Sequence, residues 1–167
     1  KKFDTLTKDA KIQKALQFME EDQDTVIDKQ IELTLIPAPT NHEQKKAARL
    51  LEMFKEEGLT DCHIDEYGNC VGIRKGTGGG KTVLVEGHMD TVFPLDTKLE
   101  IVREDGFIKC PGIVDDTRGC ATVLSTIRAL NAAGIQTKGD IQFVGTVQEE
   151  GTGALKGMQY YVNHHPE

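Results

Sequence analysis

Three short polar clusters stand where apolar or helical segments begin or end, and their side chains could bind a metal ion. The clusters are His88 with Asp90, Asp115 with Asp116, and Glu149 with Glu150. Carboxylates that are packed together repel one another unless cations lie between them. Imidazole and carboxylate groups without thiolates are ligands suited to Zn²⁺, Mn²⁺ or Co²⁺. We therefore predict a metal site built from these clusters.

The spacing within the clusters separates metal ligands from groups that would act beside them. His88 and Asp90 are two residues apart, so on an extended chain both side chains point to the same side. A carboxylate beside a metal-bound histidine fixes the tautomer of the ring. Glu149 and Glu150 are adjacent, so an extended backbone directs them apart, and one can bind metal while its neighbour acts as a base. Each pair alone is more typical of a helix cap or a solvated surface, and it is the joint placement that favours a site.

Strand and helix patterns alternate around the clusters and predict an α/β sandwich. The apolar runs "KTVLVEGHMD" and "DIQFVGTV" predict strands that end at or next to the first and third clusters, and a helical pattern begins at Thr117, behind the second. Sites in open α/β sheets form beyond the carboxyl ends of the strands, so the two strand-end clusters could converge on one crevice.

Local signals in the flanking segments predict further elements. Residues 8–34 favour one or two amphipathic helices. Thr40 with Glu43 resembles a capping box at the start of the next helix, and Gly58 is expected to end that helix. The glycine-rich stretch "GTGGG" predicts a flexible hairpin, and Asp105-Gly106 predicts the turn of a second hairpin.

The composition is that of a globular protein and narrows the class of partners. The chain has 20 Lys and Arg against 27 Asp and Glu, a net charge of −7, and no basic cluster, which argues against nucleic acid. The apolar runs are too short to span a membrane, and no signal peptide is visible at the N-terminus. The cysteines form no C-x-x-C pair, so we expect reduced thiols in a cytoplasmic protein. They are Cys62, Cys70, Cys110 and Cys120.

The motifs "VLVEGHMDTV", "PGIVDDTRG" and "TVQEEG", in this order, resemble those of the co-catalytic zinc peptidase family. That family includes peptidase T, carboxypeptidase G, the aminoacylases and succinyl-diaminopimelate desuccinylase. The segment "LIPAPTNHE" resembles the family's "IPS-S-x-x-E", and the likeness is greatest to peptidase T-like tripeptidases and carboxypeptidase G. The resemblance implies a three-layer αβα sandwich around a mixed, mostly parallel sheet.

Residue by residue, the resemblance implies two Zn²⁺ ions, or Co²⁺ or Mn²⁺ in their place. His88 would bind one metal, Asp115 would bridge both, and Glu150 would bind the second. Glu149 would be the general base, and Asp90 would be the carboxylate that orients His88. These two residues complete the catalytic set that the resemblance implies.

The aspartate pair carries one further implication and one departure from the family pattern. The resemblance implies a cis peptide bond between Asp115 and Asp116. The family commonly has "DDKGG" or "DDKAG" where this chain has "DDTRG", so Thr117 or Arg118 stands in the place of a lysine. We expect this change to affect the surroundings of the metals and to leave their ligands in place.

The resemblance implies metal-dependent hydrolysis of amide bonds in small peptides, as by a di- or tripeptidase, through a water activated by two metal ions. A deacylase or desuccinylase of N-acyl amino acids is the alternative enzyme, and a folded subdomain without catalysis is the other alternative. We expect residues 1–167 to be the N-terminal portion of the catalytic domain and to be inactive alone. The lid domain, through which a homodimer could form, and the C-terminal catalytic segment would be absent, and His164 and His165 are not expected to replace the missing ligands.

Overall fold

The computed structural model describes residues 2–165, so residues 1, 166 and 167 of the predicted domain range lie outside the described part. Its helices are α1 (Lys2–Leu6), α2 (Ala10–Glu21), α3 (Gln23–Thr34), α4 (Gln44–Glu56), α5 (Thr117–Ala132) and α6 (Lys156–His164). Its strands are β1 (Thr60–Ile64), β2 (Cys70–Arg74), β3 (Val83–His88), β4 (Val102–Glu104), β5 (Phe107–Lys109) and β6 (Ile141–Thr146). A short 3₁₀ turn at Gly151–Gly153 lies between β6 and α6.

The main sheet has four strands in the order β1-β2-β6-β3. Strand β6 pairs in parallel with β3 and antiparallel with β2, which in turn pairs antiparallel with β1. The predicted mixed sheet is therefore confirmed, with its parallel pairing between β3 and β6. This pairing matters for the site, because it brings the carboxyl ends of β3 and β6 to the same edge of the sheet.

The glycine-rich stretch at residues 76–80 does not form the predicted hairpin. Strands β2 and β3, which it connects, lie on either side of β6 and do not pair with each other. The stretch instead runs beside the segment that leads into β6, where the backbone N–H of Thr77 donates to the carbonyl of Thr137 at 2.9 Å. The second predicted turn is confirmed, since Asp105 and Gly106 join β4 to β5 with φ angles of 50° and 80°.

Helices cover both faces of the main sheet, which confirms the three-layer arrangement. Helices α4 and α5 share one buried apolar cluster with the sheet, which includes Phe54, Leu124 and Phe143. On the opposite face, Tyr161 of α6 packs against Val71 and Val144. Side chains of neighbouring strand residues point to opposite faces, so β6 contributes Phe143 to one layer and Val144 to the other. Helices α2 and α3 pack against α5.

The predicted capping box at Thr40 and Glu43 is wrong. Helix α4 begins at Gln44, and no side chain caps its first turn. The Thr40 hydroxyl and the Glu43 carboxylate are used elsewhere, at the ends of the two parallel strands. The predicted end of the helix is confirmed, because Gly58 follows it with a φ of 79°, a conformation that favours glycine.

All four cysteines are free thiols, as predicted. Within residues 2–165, no helix combines the length and the apolar content that crossing a membrane requires.

A buried ion pair joins the α2–α3 corner to α5. Asp22, which is 9% exposed, accepts hydrogen bonds from Nε and Nη2 of Arg128 at 2.6 and 2.7 Å. A third N–H of Arg128, on Nη1, donates to Glu57 at 2.7 Å. The hydrogen bonds from Arg128 lower the pKa of Asp22, and this effect outweighs the opposing effect of burial. The pair therefore stabilises the folded chain when Asp22 is ionised.

We predict that Asp22→Asn lowers the free energy of unfolding by about 2 kcal/mol at pH 7, since it weakens two charge-assisted hydrogen bonds. The folded-state pKa of Asp22 lies below its ordinary value of 3.8, so the stabilisation is present above that pH and is lost as the pH falls below it. Urea unfolding at pH 7 and at pH 3 measures the difference. The control is Asp24→Asn, in the exposed first turn of α3. An equal difference at both pH values would contradict the prediction.

Candidate metal centre

The candidate metal centre lies at the edge of the sheet where β3 and β6 both end. His88 is the last residue of β3 and lies opposite Thr146, the last residue of β6. Glu149 and Glu150 follow β6 after a turn, and the loop before α5 brings Asp115 to the same edge. The parallel pairing thus brings together clusters that are far apart in the sequence.

The predicted ligands and the predicted base surround one ring nitrogen of His88. Its Nε2 lies 3.1 Å from Oδ1 of Asp115 and 3.8 Å from Oε2 of Glu149. One oxygen of Glu149, one of Glu150 and a nitrogen of His88 all lie within 4.8 Å of one another. Both glutamates therefore reach the same small volume, whereas extended geometry predicted that they point apart. The side chain of Asp115 is 75% exposed and faces this volume from the solvent side.

The other ring nitrogen of His88 faces Asp90. Its Nδ1 lies 3.1 Å from the main-chain oxygen of Asp90 and 3.5 Å from the carboxylate oxygen Oδ1. Burial lowers the pKa of His88, but the carboxylates of Asp90, Asp116 and Glu149 outweigh it and raise this pKa to about 9. Asp90 is thus positioned to hold the ring with Nε2 directed toward the other carboxylates.

The carboxylate of Asp90 also fixes the two glutamates. It is 0% exposed, and its two oxygens accept the backbone N–H groups of Glu149 and Glu150, each at 3.0 Å. The hydroxyl of Thr40 donates to it at 2.8 Å. Burial raises the pKa of Asp90, but the hydrogen bonds from His88, from these two N–H groups and from Thr40 lower it to about 2. Asp90 therefore remains ionised in the folded chain.

The segment before α4 supports the centre in a way that sequence reasoning missed. Besides Thr40, this segment contributes Glu43, whose carboxylate accepts the backbone N–H of Gln148 at 3.1 Å. From the turn after β1, Tyr67 donates its hydroxyl to the side chain of Gln148 at 2.9 Å. Gln148 has a φ of 57°, and the chain turns there just before the two glutamates. The available signal is the segment "LIPAPTNHE", which resembles a family motif and in which Thr40 and Glu43 also have the spacing of a capping box.

Asp116 links the end of β3 to the start of α5. Its carboxylate accepts the backbone N–H of Gly119 at 2.9 Å, as a helix cap does, and the backbone N–H of His88 at 3.1 Å. The peptide bond between Asp115 and Asp116 is cis, as the resemblance implied. The sequence places Asp116 beside the site but gives no sign of its contact with His88.

The two C-terminal histidines lie outside the centre. The rings of His164 and His165 stack on Tyr160 and Tyr161, with centroids 4.0 and 4.4 Å apart. Neither belongs to the group of side chains that could hold a metal ion in the described part of the chain, which is His88, Glu149 and Glu150.

The charges of the centre fit a divalent cation. Burial and the nearby carboxylates of Asp115 and Glu149 raise the pKa of Glu150. A cation bound among these carboxylates would offset their mutual repulsion and so stabilise the cluster. One imidazole nitrogen with several carboxylate oxygens is a donor set suited to Zn²⁺, Co²⁺ or Mn²⁺.

The chain matches the peptidase family M20/M25/M40 over residues 84–167. This range contains all three polar clusters. The match begins within β3, so the supporting segment with Thr40 and Glu43 lies outside it.

Three known proteins show the range of relatives. The chain is 30% identical to succinyl-diaminopimelate desuccinylase of Corynebacterium glutamicum, over 79% of this chain and 35% of that protein. It is 33% identical to [LysW]-lysine hydrolase of Deinococcus radiodurans, over 78% of this chain and 34% of that protein. The crystal structure of aminopeptidase PepT from Bacillus cereus superposes with a TM-score of 0.69 and 27% identity, over 82% of this chain and 39% of that one. The chain thus spans about a third of the length of the curated relatives it matches.

We predict that Thr40→Val weakens the binding of Zn²⁺ to the chain by about tenfold, because Asp90 loses the hydroxyl that helps to fix it. Isothermal titration calorimetry with Zn²⁺ measures the affinity. The matched control is Thr126→Val, which removes a hydroxyl that donates to the carbonyl of Thr122 within α5. Equal affinities of the Thr40 variant and the unaltered chain would show that the hydroxyl has no part in the centre.

Proposed function

Since the chain belongs to the peptidase family M20/M25/M40, we propose that the protein containing it hydrolyses amide bonds of small peptides with the help of divalent cations. The observation that carries the proposal is the convergence of His88, Asp115, Glu149 and Glu150 beyond the ends of two parallel strands. Alone, this arrangement would support only a metal-binding module. Together with the family, it supports metal-assisted hydrolysis.

We assign His88, Asp115 and Glu150 as the residues that would hold two divalent cations, with Zn²⁺ in preference to Co²⁺ or Mn²⁺. When bound, the cations supply Lewis acidity, which makes a water molecule more acidic and an amide carbonyl more electrophilic. Asp90 fixes the orientation of His88 and the backbone of the two glutamates, so these ligands need little rearrangement.

Glu149 is the general base in this proposal. Its backbone is fixed by Asp90, and its carboxylate lies at the edge of the ligand cluster, 3.8 Å from Nε2 of His88 and partly open to solvent. The carboxylate takes a proton from water as the water oxygen bonds to the carbonyl carbon. It then gives that proton to the amine nitrogen as the carbon–nitrogen bond breaks. Glu149 is thereby returned to its ionised form.

Deacylation of N-acyl amino acids is the second candidate reaction, and it uses the same chemistry. Two relatives favour it, because one is a desuccinylase and the other a [LysW]-lysine hydrolase, whereas the likeness to an aminopeptidase favours peptides. In both reactions an amide is cleaved and an amino acid or peptide is released. The proposals differ in the groups that lie on the two sides of that bond.

We predict that Glu149→Gln in the protein that contains this chain lowers kcat by at least about a hundredfold and leaves the bound metal nearly unchanged. Glu150→Ala is expected to lose metal instead. Turnover of an alanine tripeptide and elemental analysis of the purified variants provide the two measurements. Normal turnover by Glu149→Gln would refute the assignment of the base, and unchanged metal in Glu150→Ala would refute the assignment of the ligand.

A substrate comparison distinguishes the two candidate reactions. We expect faster hydrolysis of tripeptides than of N-acetyl or N-succinyl amino acids by the same protein, measured as kcat/KM with amine release as the readout. The Glu149→Gln variant is the blank for contaminating activity. Faster hydrolysis of the N-acyl amino acids would replace the first proposal with the second.

A further inference from the structure

A second cavity lies away from the metal centre, in a groove between α2, α3 and α5. It has a volume of about 460 Å³, which is within the range of small-molecule sites in proteins. Its apolar walls come from α2 and α3 and are formed by Leu16, Met19, Val26 and Ile27. No residue of the metal centre lines this groove. The groove therefore needs an explanation that the hydrolytic centre does not provide.

Helix α5 contributes a row of polar side chains to the same groove. Arg118, Thr122 and Ser125 lie three or four residues apart, so they share one face of the helix. Between Arg118 and Ser125 the helix rises by about 10 Å, so the row runs along the groove for two turns of the helix. Ser125 is 8% exposed and lines the groove together with Thr122.

Two opposite charges in the groove are unpaired. Arg118 uses one N–H to donate to Gln30 at 3.0 Å and forms no ion pair in the described part of the chain. A guanidinium group has five N–H donors, so most of its capacity for a carboxylate remains. The side chain of Glu20, on the facing wall, has neither an ion pair nor a hydrogen bond with any of residues 2–165. The groove thus offers a cation, an anion and an apolar wall to the same ligand.

We propose that this groove binds a free α-amino acid with an apolar side chain. The carboxylate of the ligand pairs with Arg118, its ammonium group pairs with Glu20, and its side chain packs on Leu16, Met19 and Val26. Arg118 and Glu20 then each have a partner of opposite charge. A fatty acid would pair only with Arg118, and an amine would pair only with Glu20.

The groove is connected to the metal centre by one chain of hydrogen bonds. Arg118 donates to the side-chain oxygen of Gln30, and the amide nitrogen of Gln30 donates to the carbonyl of Ile113 at 2.7 Å. Ile113 lies two residues before Asp115. A ligand that draws Arg118 toward its carboxylate therefore acts on the loop that carries Asp115. Binding itself does not depend on the proposed hydrolytic function.

The test is a titration of the chain with L-leucine in the presence of EDTA, followed by ¹H–¹⁵N correlation NMR. We expect saturable binding with a dissociation constant on the order of 0.1–1 mM. The signals that shift should belong to α2, α3 and the first half of α5. Arg118→Met should weaken binding at least tenfold, whereas Arg103→Met, in the exposed β4–β5 hairpin, should leave it unchanged.

Ligand analogues test the two charge contacts separately. L-Leucinamide, which lacks the carboxylate, should bind at least tenfold more weakly than leucine. Glu20→Gln should weaken leucine severalfold and leave N-acetyl-L-leucine, which lacks the ammonium group, unaffected. Because Glu20 is exposed on α2, this variant remains decisive even if Arg118→Met proves unstable.

Three results would overturn the proposal. They are the absence of saturable binding at millimolar leucine, unchanged binding by both Arg118→Met and Glu20→Gln, and loss of binding by Glu150→Gln. The last result would place leucine at the metal centre. Because the titration uses no metal and no turnover, failure of the proposed hydrolysis would leave this result unaffected.

Discussion

The arrangement of the metal centre depends on one interaction, the burial of the Asp90 carboxylate. A charge with no exposure to water is tolerated only when its oxygens are hydrogen-bonded and an opposite charge lies near. Two backbone N–H groups and the Thr40 hydroxyl satisfy its oxygens, and His88 lies beside it. Because these partners come from three separate segments, burying this one charge fixes their relative positions.

The parallel pairing of β3 with β6 makes this interaction available. It aligns the ends of the two strands, so that residues which follow either strand emerge at the same edge of the sheet. Asp116 adds the third element, because its carboxylate binds the N–H of His88 and the first turn of α5 together. The carboxylate cluster is thus held by hydrogen bonds to the backbone, whose geometry is less variable than that of side-chain contacts.

The first turn of helix α5 contacts the metal centre on one side and the groove on the other. One side places Asp115 and Asp116 against the end of β3, and the other directs Arg118 into the groove formed with α2 and α3. The family pattern has a lysine in this region, whereas this chain has Thr117 and Arg118. The ion pair of Asp22 with Arg128 holds the α2–α3 corner against the same helix, which keeps the walls of the groove in place.

The sequence alone determined what depends on near neighbours in the chain. The strands that end at or near His88 and Glu149, the start of α5 at Thr117 and the turn at Asp105-Gly106 follow from local periodicity and turn chemistry.

Only the tertiary structure decided what depends on distant partners. Thr40 and Glu43 have the spacing of a helix cap, yet their hydrogen-bond partners lie 50 and 105 residues further along. The insertion of β6 between β2 and β3 likewise replaced an expected hairpin. Local patterns do not determine the order of strands in a sheet or the hydrogen-bond donors of a buried charge, because both depend on how the whole chain packs.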